Sequence, residues 1–264
     1  MHALAIFGIT GRMGQALLCA ARQAPDWRLS GAVASAGSLR LGCDAAALGE
    51  PTGVLVTADP GLGIQGASVA ADFSIGGSVS AHARACASAG VPLLVGATGF
   101  DAACRGVLEE AARQVAVLIA PNTSVGVSVA VQLASMAARG LGAAYDVEIF
   151  EAHHRMKRDA PSGTALVLGQ AVAEARSQDF SKVAVYDRTA AAAPRSAGSI
   201  GFSSLRAGDI VGEHTVTFAA AGERLEITHR ATDRMTFARG ALRAAEWLEG
   251  RPAGLYGMRD VLGF

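Results

Sequence analysis

The stretch Glu151-Ala152-His153-His154-Arg155-Met156-Lys157-Arg158-Asp159-Ala160-Pro161-Ser162-Gly163-Thr164-Ala165 concentrates more chemistry than any other part of this chain. Five basic or imidazole groups fall within six residues, from His153 to Arg158. Histidine and lysine exchange protons near neutral pH, which a merely solvated charged face does not need. Crowded cations lower a lysine's proton affinity and make it a better acid. A helix is predicted after Pro161 with Ser162 as its cap, so Gly163 and Thr164 offer N–H groups and a hydroxyl at its positive end. Point charges on one wall and a helix N-terminus on the other make a pocket for a small polyanion. Metal binding by His153 and His154 competes with this reading, but adjacent positions project differently and no third ligand follows at the usual spacing.

Gly8-Ile9-Thr10-Gly11-Arg12-Met13-Gly14 forms a second constellation. It follows a short apolar run, Ala3–Phe7, and opens a stretch with helical spacing, Gln15–Gln23. In a strand–turn–helix, Gly8 and Gly11 bring bare backbone against a pyrophosphate and Gly14 lets the helix pack close to the strand. The spacing is G-x-x-G-x-x-G, which is less specific alone than G-x-G-x-x-G. Arg12 can meet a phosphate or stand solvated, and the sequence leaves both open. The next strand is expected to end near Val33, where an acidic side chain usually grips the adenosine ribose. Here Ala34-Ser35-Ala36-Gly37 follows, with no carboxylate until Asp44. Nothing there repels a 2′-phosphate, Ser35 and Ser38 offer hydroxyls, and Arg40 is near in sequence. NADPH is therefore expected to be taken at least as well as NADH.

The elements that must position these residues come from the hydrophobic pattern. Apolar runs at Ala3–Phe7, Leu29–Val33, Gly53–Thr57, Ser68–Phe73, Pro92–Gly96 and Val115–Ala120 read as strands. Helical stretches at Gln15–Gln23, Ser78–Ala89 and Ala102–Gln114 alternate with them. This order predicts a Rossmann-like, doubly wound α/β sheet of parallel strands. From Val125 the texture changes. A helix (Val125–Arg139), a strand (Asp146–Glu151), the charged loop and a helix (Thr164–Arg176) precede an Ala/Pro/Ser segment (Ala190–Ala197). Alternating stretches at Ser199–Arg206, His214–Ala219 and Arg224–His229 then suggest a second, α+β domain on a mixed or antiparallel sheet. A final helix, Arg234–Leu248, follows.

Composition narrows the function classes. The 264 residues are 51% hydrophobic and 17% charged, enough for a sizeable core and unlike a disordered chain. Lys+Arg and Asp+Glu balance at 23 each, so nothing global recruits nucleic acid or an anionic membrane. The longest uncharged stretch, Val115–Ala138, is broken by Pro121, Asn122 and Gln132 and reads as strand, turn and helix rather than a membrane span. Cys19, Cys43, Cys86 and Cys104 lack disulfide or zinc spacing; Cys19 and Cys86 are expected as buried small hydrophobes. Free thiols and the absence of a basic leader point to a cytoplasmic chain.

The string Glu151–Ala165 resembles the signature of the 4-hydroxy-tetrahydrodipicolinate (dihydrodipicolinate) reductase family. Gly8–Gly14, Asp72-Phe73-Ser74, Gly96–Phe100, Ala120–Gly126, Arg206–Thr215 and Met258–Leu262 resemble the same family, in order from end to end. The resemblance implies reduction of a cyclic dicarboxylate with loss of water, on the diaminopimelate route to lysine. It implies His153 as proton donor/acceptor, Lys157 as second proton donor, His154 as a substrate contact, and Gly163 and Thr164 as holders of a substrate carboxylate. Cofactor contacts carried over are Gly8, Ile9, Thr10, Gly11, Arg12, Met13, Gly96, Ala97, Thr98, Ala120, Pro121, Asn122 and Thr123, with Ala34 and Ser35 at the ribose position. Residues 1–124 plus 235–264 would form the dinucleotide-binding domain and 125–234 the substrate-binding and oligomerisation domain, in a homotetramer. A cysteine-dependent aldehyde dehydrogenase is disfavoured because Cys104 has no neighbouring histidine. A dinucleotide sensor would leave the His/Lys pocket without a purpose.

Overall fold

The computed structural model describes residues 1–189 and 194–264; residues 190–193, which open the Ala/Pro/Ser segment, lie outside the described residues. The chain starts β1 (His2–Phe7), α1 (Arg12–Gln23), β2 (Trp27–Val33), β3 (Val56–Thr57), α2 (Pro60–Gly63) and β4 (Val69–Asp72). Next come α3 (Val79–Ala89), β5 (Leu93–Val95), α4 (Ala102–Ala111), β6 (Ala116–Ile119) and α5 (Val125–Leu141). β7 (Asp146–His153), α6 (Gly163–Ala175), α7 (Phe180–Val183) and β8 (Ala184–Val185) precede β9 (Ile200–Arg206), β10 (Gly212–Ala220) and β11 (Glu223–Ala231). The chain closes with α8 (Met235–Leu248), β12 (Gly254–Tyr256) and α9 (Met258–Leu262). It divides into two compact units, Met1–Val125 with Met235–Phe264, and Gly126–Arg234.

The first unit is built on a parallel sheet ordered β12-β6-β5-β4-β1-β2-β3. β1 shows why it is wound on both faces. Leu4 and Ile6 pack with Leu17, Ala241 and Leu248 from α1 and α8, while Ala5 and Phe7 pack with Val79, Ala83 and Leu108 from α3 and α4. A strand covered on both sides needs the unbroken apolar run seen in the sequence. Strand order reverses between β1 and β4, the place where such sheets open a crevice at their carboxyl ends. Cys19 departs from expectation: α1 turns Leu17, Leu18, Ala20 and Ala21 inward, and its 3.6-residue repeat leaves Cys19 exposed. β12 pairs with β6 as an added edge strand that the sequence pattern does not show, because three residues carry no readable period.

In the second unit the sheet order is β11-β10-β7-β9-β8, with antiparallel pairs on one side of β7 and parallel pairs on the other. Ala134 and Ala138 of α5 and Leu168 and Val172 of α6 cover one face, against Ile149, Phe202, Val216 and Phe218. The other face carries Phe150 and Leu205, each 41% exposed, and a Thr215–Thr228 hydroxyl pair. Val125–Ala144 is long and apolar enough to cross a membrane by length and composition alone. The uncharged stretch noted in the sequence divides into β6, a loop and α5.

Candidate active site

β7 runs through the middle of the second sheet and continues two residues further than its apolar pattern indicates. Its pairing with β9 extends to His153↔Arg206, and the Ala207 N–H donates to the His153 carbonyl at 3.0 Å. His153 is therefore a strand residue and not, as the sequence suggests, part of the loop. The two-residue pleat then sends Glu151 and His153 to the same face as Val147 and Ile149. His214 of β10 is registered opposite Glu151 on that face.

Glu151 has no exposed surface. Arg206 grips it with both arms, Nη1 donating to Oε2 at 2.9 Å and Nη2 to Oε1 at 2.7 Å. The Ser162 N–H reaches Oε1 at 3.3 Å, and His153 Nδ1 lies 2.5 Å from Oε2. Burial pushes this carboxyl up, but hydrogen bonds from Arg206, Ser204 and His153 outweigh it and hold it at about 2. For His153 the balance falls the other way: burial, the largest cause, together with the nearby cations Lys157 and Arg206 outweighs the hydrogen bond and charge of Glu151 and favours the neutral ring. His214 stands edge-on to His153 with centroids 5.2 Å apart, and its Nε2 lies 2.9 Å from Ser162 Oγ. Burial, then the adjacent His153, lowers it to about 3, so it is a neutral ring.

Ser162 caps α6 as expected, its Oγ accepting from the Ala165 N–H at 3.2 Å, and Gly163 and Thr164 occupy the first turn. Through Glu151 the fold brings this helix start beside His153. The intervening loop turns back where the Lys157 N–H donates to the His154 carbonyl at 3.1 Å. Lys157 Nζ pairs with Asp159 Oδ2 at 2.8 Å and is close enough to disfavour the charged form of His153. Arg155 and Arg158 are exposed, and His154 is half-buried.

The first unit carries a cleft of about 340 Å³ at the carboxyl ends of β4, β5 and β6. Gly96, Ala97 and Thr98 line it after β5, Pro121, Asn122 and Thr123 after β6, and Met13 from α1. Gly8, Ile9, Thr10, Gly11, Arg12 and Ala120 are not among its lining residues; Arg12 opens α1 and the others lie in loops at the carboxyl ends of the same sheet's strands. The glycine turn is tied to β2, since the N–H groups of Gly8 and Ile9 both donate to Val33 O, at 2.9 and 3.1 Å. Gly8 has φ +78°, and a Cβ there would lie 2.8 Å from Phe73 O; one on Gly14 would lie 2.3 Å from Gly8 O. Both positions exclude a side chain. The Ile9 side chain is fully buried in the core, so only its backbone is available to a ligand. Ala34 is buried, with its N–H donating to Thr57 O at 2.9 Å, and Ser35 is exposed.

Three observations depart from the sequence reading. Arg40 does not stand free, because its Nη2 donates to the carbonyls of Asp44 and Ala46 at 2.6 and 2.7 Å. Phe73 and Ser74 line the cleft, as does Phe237 of α8. The first two had a signal in the sequence, since they follow a parallel strand; Phe237 had none, arriving from a helix far along the chain. Glu151 and Arg206 form the ion pair beside His153 although they stand 55 residues apart, so no local spacing in the stretches that resemble the family points to it.

Residues 2–123 match the family model described as dihydrodipicolinate reductase, N-terminus, and residues 126–262 match its C-terminus. A 4-hydroxy-tetrahydrodipicolinate reductase from Thiobacillus denitrificans is 51% identical over 261 residues, covering 98% of each chain. One from Anaeromyxobacter dehalogenans is 49% identical, covering 100% of this chain and 98% of its own. Among solved structures, a dipicolinate-bound dihydrodipicolinate reductase from Paenisporosarcina sp. TG-14 superposes with TM-score 0.77 at 24% identity, covering 98% of this chain and 99% of that one. With both halves of the chain matched in order, it belongs to the dihydrodipicolinate reductase family.

Proposed function

We propose that the chain reduces 4-hydroxy-tetrahydrodipicolinate to tetrahydrodipicolinate with loss of water, on the diaminopimelate route to lysine. The observation that carries this reading is the Glu151–His153 pair beside the capped start of α6: a proton-transfer group next to an anion-holding helix end. Gly163 and Thr164 hold one substrate carboxylate and His154 adds a second contact. His153 and Lys157 handle the protons, stabilising charge on the nitrogen-bearing fragment and protonating the enamine carbon. The second unit is thus the substrate domain, and its sheet the assembly surface.

The first unit fits a pyridine dinucleotide. Side-chain-free backbone at Gly8 and Gly14 and the start of α1 suit a diphosphate, and the cleft after β4 to β6 suits the nicotinamide half. When bound, the reduced nicotinamide supplies the hydride. Ala34 and Ser35 leave no acidic group to repel a 2′-phosphate, so NADPH is preferred and NADH accepted. The test is kcat/KM for both cofactors with the freshly generated pathway intermediate, followed by cofactor absorbance, in the wild type and Ala34→Glu. Turnover with NADPH favoured, and a shift toward NADH in the variant, is expected. No cofactor oxidation with this substrate would remove the activity, and a tenfold wild-type preference for NADH would remove the cofactor assignment.

A further inference from the structure

We propose that Glu151 and Arg206 are positioning residues for His153: the carboxylate anchored by Arg206 holds the ring proton on Nδ1 and so leaves Nε2 as the atom that exchanges protons with substrate. The inference rests on His153 being the acid–base group. An ionised carboxylate only accepts hydrogen bonds, so the 2.5 Å contact to Glu151 requires a proton on Nδ1. Arg206 cannot lose its charge, and its two-armed grip on both oxygens keeps Glu151 ionised and fixes its plane. Arg206 is held in turn, its Nη2 donating to Asp159 O at 2.6 Å and Nη1 to Leu205 O at 2.7 Å. The Nε2 edge faces Gly212 of β10, where a Cβ would lie 3.1 Å from Nε2, so any side chain at that strand position would crowd the reacting edge. The charged and titratable groups around the ring are Glu151 on its own strand, Arg206 on β9, His214 on β10 and Lys157 with Asp159 on the loop. His229 on β11 acts one step further out, through His214.

This arrangement makes Arg206 and Glu151 act on His153 with opposite sign. The readout is the limb of the kcat/KM pH profile that belongs to His153, identified as the limb lost in His153→Ala. Arg206→Gln removes a cation and should move that limb up by about one pH unit; Glu151→Gln removes an anion and should move it down by a similar amount. Arg206→Lys, which keeps the charge, should move it less. Damage to packing alone would lower activity without moving the limb in two directions. Because either neutral variant leaves a buried partner unpaired and can fail to fold, a second measurement uses the wild-type protein. Imidazole 15N shifts of His153, assigned by difference with His153→Ala, should show Nδ1 protonated and Nε2 bare in the neutral ring. An Nε2-protonated ring, or limbs that stay put or move together in folded variants, overturns the proposal. Wild-type turnover by His153→Ala would instead sink the acid–base reading on which it rests, a result separable from the 15N measurement.

Discussion

His153 is pulled in two directions, by burial and the cations Lys157 and Arg206 toward the neutral ring and by Glu151 toward the charged one, with the neutral ring favoured. His153→Ala and Lys157→Ala should each lower kcat by about 10²-fold or more, the usual worth of a positioned proton donor. Binding of NADPH, read by fluorescence titration, should change little, because neither residue belongs to the first unit. Undiminished turnover in both variants would take these residues out of the mechanism. His214 makes a different prediction. Its folded value of about 3 lies below the ordinary 6.5, so the unfolded chain binds the proton more readily and stability falls as pH drops below 6.5. The loss is on the order of 2 kcal/mol by about pH 5. His153 and His229 are shifted the same way, and Glu151 adds its own loss only below its ordinary range, near pH 4.5. His214→Gln, which can still bond Ser162, should flatten the slope of Tm against pH between 6.5 and 5; an unchanged slope would show that the ring does not titrate as a buried neutral group.

At the scale of elements, close backbone approach decides the shape of the first unit's cleft. α8 crosses the loop after β6 so tightly that a Cβ on Gly240 would lie 1.9 Å from Thr123 O. Thr123 Oγ1 donates to Phe237 O of the same helix at 2.7 Å, and Phe237 lines the cleft. Gly240→Ala must push helix and loop apart, since the atom it meets is backbone. The expected cost is about 1–3 kcal/mol of stability, as for other overpacked sites. NADPH affinity should fall with it, because Pro121, Asn122 and Thr123 move with the loop. A calorimetric Tm and an NADPH titration check this, and a variant that matches the wild type in both would show that α8 does not brace the cleft.

At the scale of the whole molecule, the second sheet has one face sealed by α5 and α6 and another carrying Phe150 and Leu205, each 41% exposed. Two large apolar side chains open to water on an otherwise polar sheet face favour burial against another copy. The assembly expected from the family resemblance is a homotetramer through this sheet. Light scattering should give four chain masses, and Phe150→Glu, placing a charge on that face, should reduce it. A monomeric wild-type protein, or a variant still tetrameric, would place the interface elsewhere or remove it.

Sequence alone determined the alternation of strands and helices in the first unit, because buried parallel strands must be unbroken apolar runs and their helices amphipathic. It also determined the glycine turn and the capped start of α6, since Gly8 at positive φ, Gly14 under a carbonyl and Ser162 before a helix are local requirements. The fifteen residues from Glu151 to Ala165 were enough to place the catalytic candidates in one stretch. Only tertiary structure decided that β7 carries through His153, because the extra pairs come from Arg206 and Glu213 on strands more than fifty residues later. For the same reason Glu151 went unassigned: its partners Arg206, Ser162 and His153 meet only when β9, the α6 cap and the end of β7 are assembled. Phe237 in the cleft, β12 at the sheet edge and the tethering of Arg40 are likewise contacts between distant segments or single side-chain rotamers, and neither leaves a period or spacing in the chain.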